Sequence, residues 1–119
     1  MYFPLQYPPP YTSAIVFFTF PRYSTAFNPG SDIATVLIQS AKTADHIDIS
    51  GHTDAQVAGP RDAKIALGRA LAARNFLVNN RVLAEKINVF SQADGRLIAP
   101  NITKGRAFVN RRVEIEFLG

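Results

Sequence analysis

The chain has 119 residues, 47% hydrophobic and 18% charged, with a net charge of +4. This is one domain's length with enough apolar residues for a single core, which excludes a disordered tail and a multidomain machine. Without cysteine there is no disulfide framework or thiolate metal site, and no apolar run nears the roughly 20 residues of a spanning helix.

Residues 1–12 carry Pro4, Pro8, Pro9 and Pro10 and read as an extended arm or linker, with the domain proper over 13–119. No basic stretch followed by an apolar run marks a signal peptide, so export would depend on a segment outside this chain. Ala14–Phe20 is rich in β-branched and aromatic residues and reads as a buried strand stopped by Pro21. A loop over 22–30 follows, with Asn28-Pro29-Gly30 as its turn signal. Ser31 or Asp32 is expected to cap a helix over about 33–43, whose apolar residues Ile33, Val36, Leu37 and Ala41 have helical spacing.

His46–Ser50 alternates polar and apolar, as a half-buried strand does, and runs into a turn at Gly51-His52-Thr53-Asp54. Gly59-Pro60 opens a second helix to about Val78, and Asn79-Asn80 ends it. Lys86–Ser91 reads as a third strand and 93–101 as a loop. Thr103 caps a short helix to about Val109, and Arg112–Leu118 alternates strictly as a final strand. The order β-α-β-α-β-(α)-β, with two half-solvated strands, predicts an α+β fold. Its expected form is a two-layer sandwich: a four-stranded mixed sheet with helices on one face.

Chemistry concentrates at the end of the second strand, where the strand fixes position and the loop frees side chains. His52 and Asp54 are two metal-ligand types, but no third ligand is evident nearby, so no metal is expected. On the second helix, Ile65, Ala66, Arg69, Ala70, Ala73, Phe76 and Leu77 fall in one sector at 100° per residue. Arg69 therefore stands at the edge of the stripe facing the sheet, fifteen residues after Asp54. A guanidinium fork matches a carboxylate and an aspartate accepts from an ammonium, so together the two suit a zwitterionic amino-acid centre. The same spacing equally fits a direct Asp54–Arg69 ion pair. Leu67, Leu71 and Val78 occupy the opposite sector, which implies a covering helix or a partner chain. Adjacent Arg111 and Arg112 should point to opposite faces, one toward the helices or the site and one toward water.

Gly51-His52-Thr53-Asp54, Gly59-Pro60, Gly68-Arg69-Ala70, Pro100-Asn101-x-Thr103 and Asn110-Arg111-Arg112-Val113-Glu114-Ile115 form an ordered set. The set, across residues 14–118, resembles the OmpA-like C-terminal domain. That family includes cell-wall anchors of porins, peptidoglycan-associated lipoproteins and flagellar stator anchors. The resemblance implies non-covalent, non-enzymatic binding of peptidoglycan, without cofactor, in the periplasm at the outer membrane. It implies that Asp54 and Arg69 hold the diaminopimelate of the stem peptide. Gly51, His52, Thr53, Asp62, Asn110, Arg111 and Arg112 support them. Departures are Asp62 where the family usually has Asn, Ile65-Ala66 in place of Leu-Ser, Gly68 before Arg69, and a one-residue shift at Gly105-Arg106-Ala107. Alanine at either Asp54 or Arg69 is expected to abolish most binding and leave the fold intact.

Three other readings carry less. A hydrolase built on Asp54 and His52 lacks a nucleophile–base–orienter set and a second carboxylate. The basic balance suits nucleic acid, yet the basic residues are dispersed and Phe17, Phe18 and Phe20 read as core, so no nucleic-acid partner is expected. A fold retained as an assembly module of an envelope complex, or as a homo-oligomer, is kept open by Leu67 and Leu71. Membrane contact would come only through a region outside this chain.

Overall fold

The computed structural model describes residues 13–54, 59–92 and 110–119. Along the chain these form β1 (Ser13–Thr19), α1 (Ser31–Thr43), β2 (His46–His52) and α2 (Pro60–Asn79). A single 3₁₀ turn (Ala84–Lys86), β3 (Ile87–Gln92) and β4 (Arg112–Leu118) follow. The arm over 1–12 and the short helix expected from Thr103 lie outside the described residues.

The four strands make one mixed sheet in the order β1-β4-β2-β3. β2 and β3 run parallel, as the α2 crossover between them requires, and β4 is antiparallel to both β1 and β2. The register aligns Val16 with Ile115, Ile49 with Ile115 and Val89, and Ile47 with Phe117. One sheet face is thereby apolar, and it packs with Leu37 and Ala41 of α1 and Ala70, Ala73 and Leu77 of α2 into a single core. Both helices lie on that face. Ala66 of α2 sits directly over Gly51, while Ile33 and Leu37 of α1 share a groove with Val16 and Phe117. The α+β two-layer sandwich with a four-stranded mixed sheet is therefore as the pattern predicts.

Four local expectations are corrected. β1 is an edge strand rather than a buried one. Val16 and Phe18 face the helices, but Ile15 and Phe17, 52% and 55% exposed, face outward. A continuous apolar run fits burial on either one face or two, and only the sheet order separates these. Second, neither Ser31 nor Asp32 caps α1. Gly30 is the N-cap, with no side-chain hydrogen bond, and its carbonyl accepts from Ala34 N–H at 2.7 Å. Third, Ile33 and Val36 are mostly exposed, so only Leu37 and Ala41 of the predicted stripe are buried. Fourth, β2 continues through Gly51 and His52, so the turn begins two residues later than the alternation suggested.

Gly51 explains that extension. A Cβ here would stand 1.7 Å from the Ala66 carbonyl oxygen, so α2 crosses β2 with backbone against backbone. Gly51 is a packing residue of the strand and not a turn residue. Gly68 does similar work two residues past Ala66, since a Cβ there would meet Thr25 at 3.0 Å. The missing side chain lets the loop after β1 lie against α2. α2 itself starts as expected, with Gly59 as N-cap and Pro60 at its first position. The Asp62 carboxylate accepts from Gly59 N–H at 3.2 Å. Asn80 closes the other end, its side-chain amide donating to the Phe76 carbonyl at 2.8 Å.

Candidate ligand-binding site

The end of β2, the first half of α2, the loop after β1 and the entry to β4 converge on one small cleft. Thr53, Asp54, Asp62, Arg69 and Arg111 line it together with Arg22, Tyr23 and Ile65. Five of the nine residues singled out from sequence thus meet at one place. Asp54 and Arg69 both face it, but they do not form the closed pair that their spacing equally allowed. Asp54 Oδ2 accepts from Arg111 Nη1 at 3.1 Å, and a third of the Asp54 side chain remains open to solvent. Arg111 also donates from Nε to the Phe20 carbonyl at 3.2 Å, which ties the entry of β4 to the end of β1.

Arg69 is only 1% exposed, though charged. Its Nε donates to the Ser24 carbonyl at 2.8 Å, Nη1 to the His52 carbonyl at 2.8 Å and Nη2 to the Pro21 carbonyl at 3.3 Å. The guanidinium carbon lies 5.1 Å from the centroid of the Phe20 ring, adding a cation–π contact. Burial, and secondarily the charge of Arg111, lowers the Arg69 pKa to about 10, while Asp54 opposes the shift. The group thus stays cationic at neutral pH. The three bonds stitch the loop after β1 to the end of β2. Replacing Arg69 with alanine would remove this donor from the Ser24 and His52 carbonyls and one of two donors from Pro21, which also accepts from Ser24 N–H at 3.0 Å, so the variant is expected to lose stability as well as binding.

The remaining candidates serve elsewhere. His52 contributes its backbone carbonyl to Arg69, but its side chain points to the outer sheet face, with Nε2 3.6 Å from Glu114 Oε2. His52 and Asp54, the pair weighed as metal ligands, accordingly address different partners. Arg112 shares that outer face, with Nε donating to Glu114 Oε2 at 2.6 Å and Nη1 to the Asn110 carbonyl at 3.4 Å. The two arginines diverge as the strand pleat requires, Arg111 to the site and Arg112 to the outer face. Arg112 is nevertheless buried rather than solvated, with its charge paired to Glu114. Asn110 is fully buried, and Gly51 is a contact of α2.

Pattern reading missed the loop after β1. Tyr23 adopts a left-handed backbone conformation, φ 63°, which costs a non-glycine residue about 1 kcal/mol. Its ring is flanked by the guanidinium of Arg22 at 5.1 Å and that of Arg61 at 4.2 Å from the centroid. The signal in the sequence was an Arg-Tyr pair within a loop that no periodicity marks.

These features define a two-layer α+β binding domain whose charged cleft opens where a sheet strand ends. The chain belongs to the OmpA family, whose sequence pattern it matches over residues 19–111. It is 37% identical over 116 residues to a "type IV secretion system putative outer membrane lipoprotein" of Brucella suis, covering 92% of this chain and 63% of that protein. It is 38% identical over 105 residues to the Brucella abortus protein of the same description, covering 83% of this chain and 58% of that one. The chain thus spans about three fifths of the length of these relatives. Among solved structures, the fold matches the cell wall anchor of the type VI secretion system from Pseudomonas aeruginosa. The TM-score is 0.74 at 18% identity, over 90% of this chain and 82% of that one. It also matches the C-terminal domain of Helicobacter pylori MotB, with TM-score 0.72 at 24% identity, over 89% and 87%.

Proposed function

We propose that this domain binds peptidoglycan without covalent chemistry and tethers an envelope protein to the cell wall, by gripping the diaminopimelate of the stem peptide. The observation that carries the reading is the meeting of Asp54 and Arg69 in one cleft without neutralising each other. Three of the five Arg69 N–H donors serve the fold, and each terminal nitrogen carries a second N–H for a ligand carboxylate. The partly open Asp54 carboxylate takes the ammonium, with Arg111 holding it in place. Thr53 and Asp62 line the walls. The cleft holds about 20 Å³, room for one water, so the headgroup enters only as the cleft widens. Membership of the OmpA family and the likeness in fold to the Pseudomonas aeruginosa cell wall anchor support this reading. Two charge-assisted contacts of about 1.5–3 kcal/mol each give modest affinity per site, sufficient for a tether to a dense polymer.

Co-pelleting with diaminopimelate-type sacculi tests this directly. Wild type should pellet and be released by free diaminopimelate, while Asp54→Asn should remain in the supernatant with its melting temperature nearly unchanged. Retention of Asp54→Asn at the wild-type level would remove the assignment. A second reading, an assembly surface in an envelope complex, is favoured by Leu67 and Leu71, which stand exposed on the outer side of α2. Loss of complex assembly in Leu67→Ser with sacculus binding intact would support that surface alongside the tether. The N-terminal arm over 1–12 is, on the same reading, the link to the anchored partner.

A further inference from the structure

Among the described residues, the cleft carries more positive charge than a two-point grip uses. Arg22, Arg69 and Arg111 line it against Asp54 and Asp62, and Arg61 joins through Tyr23. A diaminopimelate centre brings one ammonium and one carboxylate and so leaves the excess standing. Among the described residues neither Arg22 nor Arg61 forms an ion pair, and both are exposed. At the cleft mouth both guanidinium groups contact the ring of Tyr23, whose backbone is in the left-handed region. Arg61 also borders a broad shallow groove of about 620 Å³ with Lys64, Leu67 and Ser91, so the rim continues along the outer side of α2. Cations held in place by an aromatic ring, near a buried charge and without carboxylate partners, are preorganised for an anion.

We propose that Arg22, Tyr23 and Arg61 form a second, carboxylate-binding subsite. It takes the free carboxylate of the stem-peptide residue next to diaminopimelate, and it makes the domain prefer free-acid over amidated stem peptides. This rests on the peptidoglycan reading above and extends it to specificity. The experiment is calorimetric titration with two synthetic stem tripeptides that end in diaminopimelate and differ only in whether the carboxylate of the preceding glutamate is free or amidated. Wild type should bind the free acid about tenfold more tightly, the size of one charge-assisted contact. The double variant Arg22→Gln/Arg61→Gln should bring the two affinities close to equality, and melting temperature checks its fold. Asp54→Asn should weaken both peptides alike. Equal affinities in wild type, or a preference that survives in the double variant, would overturn the subsite while leaving the diaminopimelate grip standing. Binding of neither peptide by wild type would overturn the grip itself, and the subsite with it.

Discussion

At Arg69, one side chain is asked to hold the fold and the ligand at once. Its bonds to the carbonyls of Pro21, Ser24 and His52 join segments 48, 45 and 17 residues away along the chain. An unpaired buried carbonyl costs about 1–3 kcal/mol, so Arg69→Ala should lower stability by about 3 kcal/mol or more, read as a fall in the urea midpoint. Arg69→Lys keeps the charge but offers a point in place of a fork. It should fold better than the alanine variant and still bind sacculi poorly. Asp54 behaves differently because its ion pair with Arg111 is partly solvated, and exposed pairs contribute about 0–1 kcal/mol. Loss of binding without loss of stability therefore belongs to Asp54, and the two losses together belong to Arg69.

Two contacts decide how the elements dock. α2 approaches β2 so closely that Gly51→Ala drives a methyl into the Ala66 carbonyl, and neither backbone is free to move. We expect destabilisation of about 3 kcal/mol or more, seen in thermal unfolding, with site geometry lost as well because Asp54 hangs from the same strand. The second contact closes α1. Lys86 Nζ donates to the carbonyls of Ala41, Lys42 and Ala44 at 2.9, 3.2 and 2.8 Å. The ammonium thereby satisfies the orphan acceptors at the end of α1 and meets the negative end of its dipole. Lys86→Met keeps the aliphatic stem and loses all three bonds, so stability should fall by about 1–2 kcal/mol with sacculus binding unchanged, a pair of readouts that separates it from Gly51→Ala.

Taken as a whole, the molecule divides its work between the two faces of one sheet. The inner face carries the helices and positions the cleft, while the outer face shows Asp48, Glu114 and Glu116 between the exposed Ile15 and Phe17 on one edge strand and Phe90 on the other. Asp48 and Glu116 stand directly opposite on neighbouring strands, an unfavourable like-charge pair. Glu116→Gln should raise stability by a few tenths of a kcal/mol and leave sacculus co-pelleting at the wild-type level. Reduced pelleting in that variant would mean that the outer face, and not the cleft alone, meets the wall.

Periodicity and punctuation in the sequence determined most of the elements: the alternation of His46–Ser50 and Arg112–Leu118, the Gly59-Pro60 helix start and the stripe on α2 that carries Arg69. These are local properties, because side-chain direction repeats every two residues in a strand and every 3.6 in a helix. The OmpA-like resemblance likewise rested on the order and spacing of short motifs. Tertiary structure alone decided who meets whom. It put β1 at an edge and left Ile15 and Phe17 exposed, gave Asp54 to Arg111, spent three Arg69 donors on backbone, sent His52 and Arg112 to the far face, and set Tyr23 at the cleft mouth in contact with two arginines. The physical reason is that each of these depends on groups brought together from distant parts of the chain, and a one-dimensional pattern records which way a side chain leans but not what it finds there.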